Sequence, residues 1–166
     1  MKSRAAIIYL TVIALVFAII QADFMPAFYF YGTGPDFLLL LCVCTGFCTE
    51  GGFGHAAALA AAAGIIAGAF SSISPAYFII LFETCALLSY RLGKKRVSKT
   101  AMLLLSGASA SAISALFSFL FLYASGDPQS ANEALRMIVP YTVCNMLFIW
   151  PIHMIPRSFA GRKSLS

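Results

Sequence analysis

Apolar residues run along this chain in six long stretches, with little polar alternation inside them and polar or glycine-rich breaks between. The stretches cover positions 5–20, 28–49, 56–70, 76–90, 101–124 and 137–155. Continuous runs of this length read as helices, because a membrane β-barrel needs a two-residue alternation that is missing here. The third and fourth stretches hold 15 residues each. That is roughly 22 Å of helix, short against a hydrocarbon core of about 30 Å. No charge lies between positions 56 and 82, so a single merged span is the competing reading. Ser71, Ser72, Ser74 and Pro75 argue against it, because a serine cluster ending in proline stops one helix and starts the next. The pair then reads either as two short spans or as a re-entrant hairpin that dips in from one side and returns.

Composition fixes the solvent. Of 166 residues, 61% are apolar and 10% charged, and mean hydropathy is +0.90. A soluble domain usually carries about 25% charged residues. The chain therefore reads as one polytopic membrane domain over 1–166, an all-α integral membrane bundle of about six transmembrane segments with lipid as its main solvent.

The cations then set the topology. Lys2 and Arg4 precede the first stretch, Arg91, Lys94, Lys95, Arg96 and Lys99 follow the fourth, and Arg157, Arg162 and Lys163 follow the sixth. Six crossings put all ten on one side, with Arg136 alone opposite, as the positive-inside rule requires. Merging the third and fourth stretches would move the basic run after the fourth to the wrong side. Both termini are expected in the cytoplasm. The net charge of +5 is thereby explained by topology, and no nucleic-acid partner is expected. The first stretch looks like a secretory signal, but Ile19-Ile20-Gln21-Ala22-Asp23 lacks the small residues a cleavage site wants. It is expected to stay as the first span.

Candidate chemistry is sparse. Cys42, Cys44, Cys48, Cys85 and Cys144 all lie inside apolar stretches and read as small core hydrophobes, not as a disulfide framework or a zinc site. Phe24, Phe28, Tyr29, Phe30 and Tyr31 read as interfacial anchors beside an outer loop, and 125–136 reads as a second, polar one. Ala56, Ala60, Gly64 and Gly68 recur every four residues and form one smooth ridge on a helix. Ser106, Ala110, Ser114 and Ser118 repeat the device with hydroxyls, with Gly107 and Ser111 beside them. Such ridges permit close helix approach, either within the bundle or onto a partner helix.

An acid at depth is a functional suspect. Glu83 sits in the middle of the fourth stretch, and Asn145 in the sixth is the polar candidate at matching height, with Tyr90 on Glu83's face. A polar structural contact and a ligand- or proton-coupling role are both open for this pair. In Gly32-Thr33-Gly34-Pro35-Asp36, Pro35 suits the first helical position and Asp36 the first turn, where an acid meets the positive helix end. Glu50 and His55 flank a three-glycine turn but make no metal set by themselves. The chain holds no catalytic triad, Cys-His pair, P-loop or dinucleotide fingerprint. No enzymatic activity, metal or cofactor is expected.

With these residues in view, the chain resembles the MreD family of small bacterial rod-shape-determining membrane proteins. Pro35-Asp36 opens the second segment ahead of a leucine run. Gly51-Gly52-Phe53-Gly54 leads into a small-residue segment with Gly64 and Gly68. A basic run closes the fourth segment, and Asn145 and Pro151 sit in the last span before a basic tail. One departure stands at Ser71 and Ser72, where MreD-like sequences often carry an acid. The resemblance implies a non-enzymatic scaffold of the cell-elongation machinery that binds an MreC-like protein and other elongation-complex membrane proteins. It also implies a fold similar to that of transporter S components. The alternative is therefore the substrate-binding S component of an energy-coupling-factor vitamin transporter, for which Ala14 and Ala18 would be a docking contact.

Overall fold

The structure, a computed structural model, describes residues 4–24, 34–49, 52–95 and 98–160. Among these are seven α-helices, one π-helical turn and no strand. Helix α1 (Arg4–Ile19) continues into the π turn (Ile20–Phe24). It is followed by α2 (Phe37–Cys48), α3 (Gly54–Ala69), α4 (Pro75–Gly93), α5 (Lys99–Ala124), α6 (Pro128–Arg136) and α7 (Ile138–Ala160). Among the described residues four stretches are long and apolar enough to cross a membrane: Ala6–Asp23, Pro75–Gly93, Lys99–Ala124 and Ile138–Ser158. The chain is a multi-pass, all-α membrane bundle.

Three expected features are corrected. Of the second apolar stretch, taken to begin at position 28, residues 28–33 lie outside the described residues, 34–36 are not helical, and α2 has 12 residues. Asp36 is its N-cap, accepting the Leu39 amide at 3.0 Å, so Pro35 lies one residue before the cap and not at the first helical position. The fourth stretch is not short: α4 has 19 residues and runs on through Arg91 to Gly93. The long stem of a terminal arginine lets its charge stay at the interface. The outer polar loop is also partly helical, because Asp127 accepts the Ser130 amide at 3.0 Å and Pro128 follows it as α6 begins. Of the expected interfacial aromatics, positions 28–31 lie outside the described residues.

Short α2 is possible because lipid does not surround it. Its sequence, FLLLLCVCTGFC, is apolar on every side, and Phe37 through Gly46 are all buried. A helix apolar all round belongs in a core. Here α4, α7, α3, α5 and α1 enclose it, so about 18 Å of helix need not match the bilayer.

Ser74 accepts the Ala76 amide and Pro75 opens α4, so the serine-proline break does separate two helices. They are antiparallel: Gly68 faces Pro75 and Gly64 faces Ile79. α5 runs against α4, with Tyr77 meeting Ser118 and Cys85 meeting Ala110. α7 runs against α5, with Asn145 meeting Ser111. α1 runs against α2 through Phe17 and Phe37, whose ring centroids are 5.4 Å apart. α7 lies alongside α2 in the same direction, with Phe37 beside Phe148 and Phe47 beside His153. The start of α1 and the end of α7 therefore share one end of the bundle with Lys94 and Lys99. This is the basic end. Pro151 and Pro156 sit inside α7 without ending it, as membrane helices tolerate where neighbours cover the freed carbonyls.

Candidate functional site

The end opposite the cations holds a buried polar junction. Asp36 caps the start of α2, and its own backbone N–H donates to Oδ1 of Asn145 in α7 at 2.8 Å. The Asn145 amide donates onward to Oγ of Ser111 in α5 at 2.9 Å, and Ser111 donates to the Gly107 carbonyl at 2.9 Å. On the other side, the Tyr141 hydroxyl donates to Oδ2 of Asp36 at 3.1 Å. Tyr141 has one proton, so at 3.3 Å it accepts from Ser114. The first helix joins through its π turn: Gln21 Oε1 accepts the Phe37 amide at 3.2 Å.

These positions follow from local spacing. Tyr141 and Asn145 are four apart, on one face of α7; Ser111, Ser114 and Ser118 line one face of α5. Asn145 is fully buried. A buried amide must use its donor and its acceptor, and this one does both. No cation pairs with Asp36 among the described residues. The carboxyl is held by dipoles alone, an amide on one oxygen and a phenol on the other.

Beside the junction lies a cavity of about 270 Å³ lined by Asp36, Tyr141, Ser114, Ser118 and Tyr77, among others. Tyr77 and Ser118 are hydrogen-bonded at 3.2 Å. Small-molecule sites usually run from about 300 to 1,000 Å³. This space suits a few waters or a small ion better than a vitamin. The arrangement can clamp four chain segments together and hold a proton.

The sequence-predicted residues fall as follows. Ala56, Ala60 and Gly64 are buried and Gly68 half-buried. A β-carbon added at Gly64 would lie 2.6 Å from the Ile79 backbone nitrogen, and one at Gly68 2.6 Å from Pro75. The first ridge thus packs on the chain's own α4. Ser106, Ala110 and Ser114 are buried and Ser118 is half-buried. Ser114 and Ser118 reach α7 and α4, whereas Ser106 turns back to the Leu103 carbonyl of its own helix. Of the two uses open to each ridge, internal packing matches these contacts.

The expected pairing of Glu83 with Asn145 is not formed. Asn145 is committed to Asp36 and Ser111. Glu83 is half-buried and has no hydrogen bond or ion pair among the described residues. Tyr90 instead meets Phe53 at 5.6 Å and lies under the Lys94 ammonium. His55 is half-buried, while Glu50 and Gly51 lie outside the described residues. No group of three metal-ligating side chains occurs among the described residues. All five cysteines are free, with Cys42, Cys44 and Cys85 fully buried as core residues.

Comparison with family models, with curated proteins and with solved structures returns no match.

Proposed function

We propose that the chain is a non-enzymatic membrane subunit of the MreD-like kind, a scaffold of the bacterial cell-elongation machinery that binds an MreC-like protein and helps organise peptidoglycan synthesis. The observation that carries the reading is the hydrogen bond from Asp36 to Asn145, 109 positions apart in sequence. Two of the four motifs behind the resemblance meet in it. A third, the glycine segment, is packed against α4. Motifs that build helix junctions suit a protein that works by recognition and holding.

The test is depletion in a rod-shaped host. Wide or round cells with unimpaired nutrient uptake are expected. Normal shape together with a growth defect rescued by one vitamin would instead support the transporter S-component reading. That second reading has one observation in its favour, the convergence of Asp36, Tyr77, Ser114 and Tyr141 on a cavity. Its volume of about 270 Å³ argues against a vitamin-sized occupant.

The proposed setting is the inner membrane with both termini cytoplasmic. Support comes from the cation bias together with the shared end of α1's start and α7's finish. Reporter fusions after Lys99 and at the C-terminus should both report cytoplasm, and a fusion near Gln129 the outside. An exterior signal from the Lys99 fusion would refute this orientation.

A further inference from the structure

The basic end of the bundle holds a second cavity, of about 630 Å³, that takes no part in the junction. Phe47, Leu103 and Trp150 form apolar wall, and Lys94, Lys99 and Arg157 stand at it as cations; no acid among the described residues lines it. All three cations are exposed, and none is paired with an acid among the described residues. Lys94 leans on the Tyr90 hydroxyl and ring, which leave its charge uncompensated.

His153 is the deciding residue. It lines the cavity, yet is only 8% exposed. Its ring is wedged against Phe47 and Trp150, at centroid distances of 5.9 and 6.2 Å. Nδ1 is sealed from solvent with no hydrogen-bond partner, and no hydrogen bond to His153 occurs among the described residues. A buried imidazole without partners is costly and needs an explanation.

The start of α5 opens on the same space through Lys99 and Thr100, and its N-cap Ser98 makes no side-chain cap bond. First-turn amides are thus left for an outside acceptor. The ends of α2 and α4 oppose an anion with about half a negative charge each. Three full cations outweigh them.

We propose that this cavity binds a phosphate group, carried by the headgroup of an anionic phospholipid. Phosphate is the acceptor that fits lysine, arginine, a hydroxyl and helix amides together. The lipid is the favoured carrier because the wall continues into apolar Phe47, Leu103 and half-exposed Trp150, where an acyl chain can lie. Basic pockets between membrane helices on the cation-rich side suit such headgroups. The proposal rests on the membrane reading and not on any role in cell shape.

Trp150 is the chain's sole tryptophan, so its emission reports on this cavity. The full chain in neutral detergent is titrated with phosphatidylglycerol carrying brominated acyl chains, and separately with phosphatidylcholine carrying the same chains. Quenching by phosphatidylglycerol should saturate at a concentration about tenfold lower. Lys99→Gln and Arg157→Gln should each weaken it about fivefold, the value of one cation near a headgroup. His153→Phe keeps the ring packing and should weaken phosphatidylglycerol alone. Lys95→Gln removes a charge at the same end but outside the lining, and should change little. Equal quenching by both lipids, or equal weakening by Lys95→Gln and Lys99→Gln, would overturn the proposal. Displacement of the lipid by an equal concentration of inorganic phosphate would overturn the lipid as carrier and assign the site to the free anion.

Discussion

Gly64→Ala is expected to destabilise the bundle by about 3 kcal/mol, at the upper end for overpacking a tight interface. The new β-carbon would lie 2.6 Å from the Ile79 nitrogen and 2.7 Å from its α-carbon. Those are backbone atoms and cannot rotate away. Relief requires α3 and α4 to separate along their whole contact, and in lipid no hydrophobic force draws them back together. Gly107→Ala should be milder, although its β-carbon would also collide. The atoms it meets are the ends of the Ile149 and Met146 side chains, which have other rotamers. Gly54→Ala, with nothing within 4 Å of the new carbon, should be neutral or slightly stabilising through helix propensity. Folded yield by size exclusion and thermal midpoint in detergent would rank the three. Equal tolerance of Gly64→Ala and Gly54→Ala would mean the α3–α4 contact is absent in the membrane.

This ridge was legible because its signal is local and periodic. Four small residues at a spacing of four define a helix face without any knowledge of the partner. The break at Ser74-Pro75 was legible for the same reason, being a matter of caps. What the chain could not announce was which helix each face meets. Glu83 and Asn145 lie at similar depth, but depth does not fix azimuth, and α7 turns Asn145 toward α5 and the start of α2. In sequence Tyr141 looks like an ordinary member of an apolar run, and Ser111 like a neighbour of the serine ridge. Their spacing to Asn145 and Ser114 was the available clue. Asp36 was read correctly as a helix-start acid and incompletely as no more than that, because its phenol and amide partners lie 105 and 109 positions away. The burial of α2 was not legible since hydropathy measures apolarity and not the solvent: a core helix and a lipid-facing one look alike until their neighbours are known.

The junction itself can be tested as structure and as chemistry with two substitutions. Asn145→Leu removes the acceptor of the Asp36 amide and the donor to Ser111. A buried donor left without a partner costs about 1–3 kcal/mol, and leucine's branched end must also fit where an amide was held. A loss of about 2–3 kcal/mol is expected, seen as a fall of roughly 5 °C or more in thermal midpoint. Asp36→Asn behaves differently. Its side-chain oxygen can still accept the Leu39 amide and so keep the helix cap. Its amino group would face Tyr141, whose hydroxyl can turn to accept while donating to Ser114. Every partner stays satisfied, so the cost should be under about 1 kcal/mol. If the junction only holds helices together, Asp36→Asn should leave both membrane level and function near those of the unmodified chain, while Asn145→Leu lowers them together. Loss of function in Asp36→Asn at a normal membrane level and midpoint would mean that the carboxyl's charge or proton is used, and the junction would then be a coupling site instead of a clamp.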